Sequence, residues 1–227
     1  MTRLPSPDAF IETLEPRRLM SVFVRAHVLH IVGTPGDDTV KFFRDNSNQL
    51  RFSLNGKFFR VSRQKIQSME IDAGAGDDSI IVANHNGFEE GVGGFQCTSD
   101  PCPQDGVTLK IISIAGTVRG GPGNDTIVGG IGRWSLIGGD GDDVIKAWPI
   151  STSVIRGGAG NDTLTGGSLN DHLSGGTGND LLIGRDGDDT LDGGDGFDLV
   201  KGGKGHNTIN PGPQPPLQVM PLLEALR

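Results

Sequence analysis

The stretch "GGTGNDLLI", Gly175 to Ile183, decides how this chain is read. A glycine pair, a third glycine, an aspartate two positions on and a lone apolar residue beyond it make a unit of nine. The neighbouring units read "GGAGNDTLT" from Gly157, "GGSLNDHLS" from Gly166, "GRDGDDTLD" from Gly184, "GGDGFDLVK" from Gly193 and "GGKGHNTIN" from Gly202. Together they run from Gly157 to Asn210 with no slip in register. Three earlier units, "GGPGNDTIV", "GGIGRWSLI" and "GGDGDDVIK", begin at Gly120 and are followed by "AWPISTSVIR", a stretch that lacks the glycine pair.

Two columns emerge when the units are superimposed. The sixth position holds Asp125, Trp134, Asp143, Asp162, Asp171, Asp180, Asp189, Asp198 and Asn207. The eighth holds Ile127, Leu136, Ile145, Leu164, Leu173, Leu182, Leu191, Val200 and Ile209. A short strand with one inward residue, followed by a tight turn, accounts for both columns. Two units then close one coil, with their apolar residues meeting from opposite walls and coils stacking at the ~4.8 Å of paired strands. Glycine suits the turn because it takes positive φ at little steric cost. The period also sets Asp162 beside Asp180, Asp171 beside Asp189 and Asp180 beside Asp198, one coil apart. Stacked carboxylates repel, so a cation is expected between them. Calcium accepts about 6–8 oxygen ligands in flexible geometry and mixes carboxylates with backbone carbonyls. Magnesium is less tolerant of irregular geometry, and zinc would want His or Cys, which the turns lack.

Composition points the same way. The 227 residues include 37 glycines and no tyrosine, and aromatic residues make up only 5%, so large side chains for an ordinary core are scarce. Collagen is excluded, because glycine does not recur at every third position. The net charge of −8 is uneven: residues 1–72 are basic on balance, whereas residues 157–210 carry nine Asp against three Lys or Arg. An acidic array of this kind argues against a nucleic-acid partner. No apolar run approaches the ~20 residues of a membrane span.

The unit G-G-x-G-x-D-x-U-x resembles the repeat of the hemolysin-type, or RTX, calcium-binding family. The resemblance covers the nine units between Gly120 and Asn210. It implies an all-β fold, a right-handed parallel β-roll or β-helix solenoid, with several Ca2+ ions in the turns and an extracellular life. Family members often cross the cell envelope unfolded and fold outside, where calcium is abundant. Carried onto this sequence, the ligands are Asp162, Asp171, Asp180, Asp189 and Asp198, with Asn207 as a neutral, weaker cap. Asp125 and Asp143 are expected to form an earlier site. Trp134 stands in place of Asp on the opposite side and the next coil is interrupted, so that side is expected to lack one. Leu169, in place of glycine, is expected to weaken the turn around Asp171. Asp38 and Asp78 occupy similar turns but have no partner at the repeat spacing.

The rest of the chain divides by composition. Residues 1–21 form an export-associated leader ending in "LEPRRLMS", which resembles the N-terminal motif of the LEPR-XLL family of bacterial exported proteins. Leu14, Glu15, Pro16, Arg17 and Leu19 match, and Met20 departs from the usual leucine. Residues 22–115 read as an irregular β-rich half of the same stack, with "QLRFSL" and "KFFRV" joined by Asn55-Gly56 into a protruding hairpin. Residues 116–210 are the roll, and residues 211–227 a Pro-rich tail. Cys97 and Cys102 bracket a polar loop, where a local disulfide fits an exported protein. His172 and His206 read as solvated bystanders. The G-x-G-x-x-G matches precede no helix and carry no dinucleotide site.

No coherent nucleophile–base set is legible, so the expected function is calcium binding by a non-enzymatic, secreted or surface-associated module. Calcium and a cell-surface or extracellular polysaccharide are the candidate partners. The competing readings are a carbohydrate-active enzyme or toxin-like effector with its activity in residues 22–115, and an adhesin fragment.

Overall fold

A nine-residue unit carries one strand, and its single inward aliphatic needs a partner from elsewhere. In the computed structural model, which describes residues 11–12, 20–43, 49–82 and 114–213, that partner comes from the facing unit. The strands build two sheets, and from the seventh strand onward successive strands alternate between them. The ten-stranded sheet runs β1 (Ile11–Glu12), β2 (Ser21–Arg25), β3 (Val28–Thr34), β7 (Ser68–Gly74), β9 (Ala115–Pro122), β11 (Gly132–Asp140), β13 (Ser151–Ala159), β15 (His172–Thr177), β17 (Thr190–Asp195) and β19 (Thr208–Asn210). The nine-stranded sheet runs β18 (Leu199–Lys204), β16 (Leu181–Asp186), β14 (Thr163–Thr165), β12 (Val144–Lys146), β10 (Thr126–Val128), β8 (Ser79–Ile81), β4 (Thr39–Phe43), β5 (Gln49–Leu54) and β6 (Lys57–Ser62). The fold is all-β, and residues 116–210 form a parallel β-solenoid of about 5 turns.

The register stacks like on like. Leu173 pairs with Leu191 in one sheet and Leu164 with Leu182 in the other. Every eighth-position aliphatic from Ile127 to Leu191 is fully buried. The last two are not: Val200 is half-buried and Ile209 is 46% exposed, because among the described residues no further coil covers them.

The interruption at "AWPISTSVIR" is absorbed rather than looped out of the stack. A turn at Trp148–Ser151, closed by the Ser151 N–H on the Trp148 carbonyl at 3.1 Å, takes up the extra residue. Strand β13 then pairs Ile155 with Leu136, and Ile155 fills the inward column.

The same columns continue into the first half. Ile31, Ile71 and Val118 stack in one sheet, and Val40, Ile80 and Ile127 in the other. The hairpin around Asn55-Gly56 forms as expected, with φ of 49° and 76° at the two turn residues. It does not protrude. Strands β5 and β6 extend the nine-stranded sheet, and Leu50, Phe52 and Leu54 are buried. On the other sheet β2 returns antiparallel to β3. Antiparallel strands therefore cover the first coil in both sheets, and Phe52 stacks between Phe42 and Phe59 at 5.2 Å from each.

Among the described residues no helix is long and apolar enough to cross a membrane. Leu14 to Leu19 of the N-terminal motif, both cysteines and the tail beyond residue 213 lie outside the described residues.

Candidate metal centre

The turns are built by their glycines. Gly176 and Gly178 take φ of 124° and 121°, a region closed to most side chains. The first glycine of each unit has a different role. A Cβ on Gly157 would collide with Oδ2 of Asp162 and stand 2.7 Å from the carbonyl oxygen of Gly175 in the next coil. Absence of that carbon leaves a cradle edged by a carboxylate oxygen and a carbonyl oxygen. The same pairing recurs at Gly175, with Asp180 and the Gly193 carbonyl, and at Gly184, with Asp189 and the Gly202 carbonyl.

On the first face of the roll the sixth-position residues form one row: Asp78, Asp125, Asp143, Asp162, Asp180 and Asp198, led by Asp38. Each Oδ1 from Asp78 onward accepts the backbone N–H of the preceding member, at 2.7 Å for Asp38 to Asp78 and 2.8 Å for the rest. The opposite face has a shorter row. Asp171 Oδ1 accepts from Ser153 N–H at 2.6 Å, Asp189 Oδ1 from Asp171 at 2.8 Å and Asn207 Oδ1 from Asp189 at 2.9 Å. Fifth-position residues run an outer row in the reverse sense, as where Asn161 Oδ1 accepts from Asn179 N–H at 3.0 Å.

The other carboxylate oxygen decides the chemistry. Oδ2 of Asp78, Asp125, Asp143, Asp162, Asp180, Asp189 and Asp198 is buried without a hydrogen-bond partner. A buried, unpartnered charged oxygen is costly and rare in folded proteins. Loss of water is the largest cause pushing Asp143 up to about 7 and Asp78 and Asp162 up to about 6. The accepted backbone N–H opposes this, and neighbouring carboxylates in the row reinforce it. Asp125, Asp180 and Asp189 are raised in the same way. A proton or a cation on such an oxygen would offset the cost of its burial.

The donor set fits calcium. It is all oxygen, and among the described residues no three His, Cys, Asp or Glu side chains gather into one cluster. Each cradle therefore offers few carboxylates, and the remaining ligands must be carbonyls of glycine-rich turns. That mixture suits a hard ion of flexible coordination.

The residues placed together by the sequence spacing do meet: Asp125 with Asp143, Asp162 with Asp180, Asp180 with Asp198, and Asp171 with Asp189. Four features were not legible. Asp143 and Asp162, nineteen residues apart across the interruption, are direct neighbours in the row. Asp38 and Asp78 also find partners, across 40 and 47 residues, which corrects the expectation that they stand alone. The signal available was local: "GDD" followed by a residue and then an inward aliphatic. Asp171 differs from Asp189, since its Oδ2 accepts the Gly167 N–H at 2.5 Å. Neither Gly167 nor Leu169 takes positive φ, so this turn closes differently. Asn207 turns its amide nitrogen to the Gly203 carbonyl at 3.3 Å.

The fold and site define a parallel β-roll whose turns stack acidic oxygen donors in register. A family model for the RTX calcium-binding nonapeptide repeat matches the chain in four copies, over residues 119–148, 153–182, 165–200 and 183–213. The matched residues thus resemble the RTX calcium-binding nonapeptide repeat, and the short gap in the match falls at the Trp148–Ser151 turn. No curated protein and no solved structure matches this chain.

Proposed function

We propose that this chain binds several calcium ions in the turns of its roll, that the ions complete its fold, and that it serves outside the cell as a structural or surface-associated module. One observation carries the reading: the row of buried carboxylate oxygens without partners, repeated coil after coil. The ligands are Asp125, Asp143, Asp162, Asp180, Asp189 and Asp198. Asp171 contributes less, because a backbone N–H already holds its second oxygen. Asn207 closes the opposite row without a charge.

Coupling of binding to folding follows from the same geometry. The cradles exist only when two coils are stacked, so an ion binds the folded chain and not the unfolded one, and its binding free energy becomes folding free energy. An exported chain meets such an ion outside the cell. The LEPR-like leader and the secreted habit of RTX proteins support that location. No catalysis is assigned. Among the described residues the groove over β7, β9 and β11 contains one carboxylate, Glu70, ion-paired with Arg119 at 3.1 Å and 3.2 Å from His30 Nδ1. Glycoside hydrolysis ordinarily takes a pair of carboxylates.

Circular dichroism of purified protein, titrated with calcium after exhaustive chelation, tests the reading. A gain of β signal at calcium of order 0.1–1 mM, the range of extracellular modules, is expected. A spectrum indifferent to calcium would refute it.

A further inference from the structure

The outward face of the nine-stranded sheet takes no part in the carboxylate rows. Its strands give one residue in two to the core, and the others form two outward columns in register from coil to coil. Lys41, Ile81, Val128 and Lys146 lead along one column to Ile183 and Lys201. Thr126, Val144, Thr163, Leu181 and Leu199 make up most of the other. Neither column contains Asp or Glu, although the chain carries a net charge of −8. The ten-stranded sheet differs, since Glu70, Asp72 and Asp192 lie at its outward positions.

The β5–β6 hairpin extends this face. Lys41 is followed across the sheet by Ser53 and Phe58, and Phe43 by Arg51 and Arg60. Phe58 is 72% exposed and Phe43 37%, and their rings meet at 5.7 Å. At the far end of the sheet Leu199 is 55% exposed. Strands β5 and β6, with the single helical turn Arg63–Lys65 that follows, carry Arg51, Lys57, Arg60, Arg63 and Lys65 and no carboxylate. With strands about 4.8 Å apart, the nine of them make a face roughly 40 Å long.

Exposed apolar side chains set among charges of one sign mark a contact surface. Phenyl and aliphatic groups interleaved with Lys and Arg suit an anionic lipid surface. The apolar groups enter the boundary between headgroups and acyl chains, and the cations meet the phosphates. A second copy of the same face would be repelled, cation against cation. A polysaccharide would need partners for its hydroxyls, and the apolar members of both columns supply none. We propose that the outward face of the nine-stranded sheet, led by Phe58 and Phe43, docks this protein on an anionic lipid surface. This gives the surface-associated role proposed above its contact face, and it rests on that part of the reading alone.

Sedimentation of the intact protein with lipid vesicles, in calcium, tests this. Vesicles of phosphatidylcholine and phosphatidylglycerol in equal parts should carry the protein down, and phosphatidylcholine alone should carry far less. Added salt should weaken the binding. Lys146→Glu changes two charges at about fivefold each, so binding should fall more than tenfold. Phe58→Ser should weaken it about tenfold. Arg156→Glu makes the same charge change at an exposed position of the ten-stranded sheet and should cost little. Should Phe58→Ser fail to fold, Lys146→Glu decides, since Lys146 is exposed. Equal binding to both kinds of vesicle, undiminished binding by either face variant, or an equal loss in Arg156→Glu overturns the proposal. Capture by polygalacturonate without capture by vesicles does so too. A roll that folds with calcium while vesicles go unbound refutes this inference alone, whereas vesicle binding by a chain indifferent to calcium refutes only the calcium reading.

Discussion

Oδ1 of Asp180 accepts the backbone N–H of Asp162 at 2.8 Å, while Oδ2 of the same carboxylate is buried with no partner. One side chain thus joins two coils through one oxygen and leaves the other free for the cation proposed above. The division repeats along the row, so stacking and ion binding can be separated by substitution.

Asp180→Ala removes both halves. The Asp162 N–H loses its acceptor, at a cost of about 1–3 kcal/mol, and the ion's contribution is lost as well. Asp38→Ala should cost a similar amount with or without calcium, since its carboxylate is held by Thr34 and Asn55. Melting temperatures of both variants, in calcium and in chelator, check this. Equal calcium dependence in the two would contradict the assignment.

The metal-free protein should grow less stable as pH rises. Asp143 titrates near 7 and Asp78 and Asp162 near 6 in the fold, all raised above the ordinary value of 3.8. The folded chain therefore holds more protons than the unfolded one between about pH 4 and 7, and stability declines across that window. Denaturant midpoints of dialysed protein should be higher at pH 5 than at pH 8, and saturating calcium should flatten or reverse the slope. A metal-free midpoint that climbs with pH would refute the ionisation scheme.

Leu169→Gly should restore the regular turn. Leu169 is 48% exposed, so little packing is lost, and glycine can take the positive φ that Gly178 takes in the next unit. The Gly167 N–H would then release Asp171 Oδ2. Isothermal titration should show tighter or additional calcium binding, and unaltered binding would mean that the turn is set by something other than Leu169.

Coil position should govern the cost of losing an aliphatic side chain. Leu191 is fully buried between two coils, so Leu191→Ala should cost about 2–5 kcal/mol. Ile209, 46% exposed on the last strand, should cost clearly less. Urea midpoints in calcium measure the difference.

Much of this was legible in one line of sequence. The nine-residue period placed Leu164, Leu173, Leu182 and Leu191 in the core and set Asp162 beside Asp180, because strand stacking converts a constant period into spatial columns. The same logic failed where the period breaks. Trp148 to Ser151 absorbs an extra residue in a turn, and Asp38 and Asp78 join the row across segments of irregular length.

What the sequence alone determined was the repeat, its inward aliphatic column and its acidic turns. Only the tertiary structure decided which carboxylate oxygens remain free. Asp171 and Asp189 occupy the same position of the unit, yet Oδ2 of the first is held by Gly167 and Oδ2 of the second has no partner. Asp38 and Asp78 both follow a "GD" pair, yet only Asp38 is met by a side-chain amide from a hairpin tip. Partners of that kind come from chain segments folded against the turn, and a residue's own neighbours in sequence do not specify them.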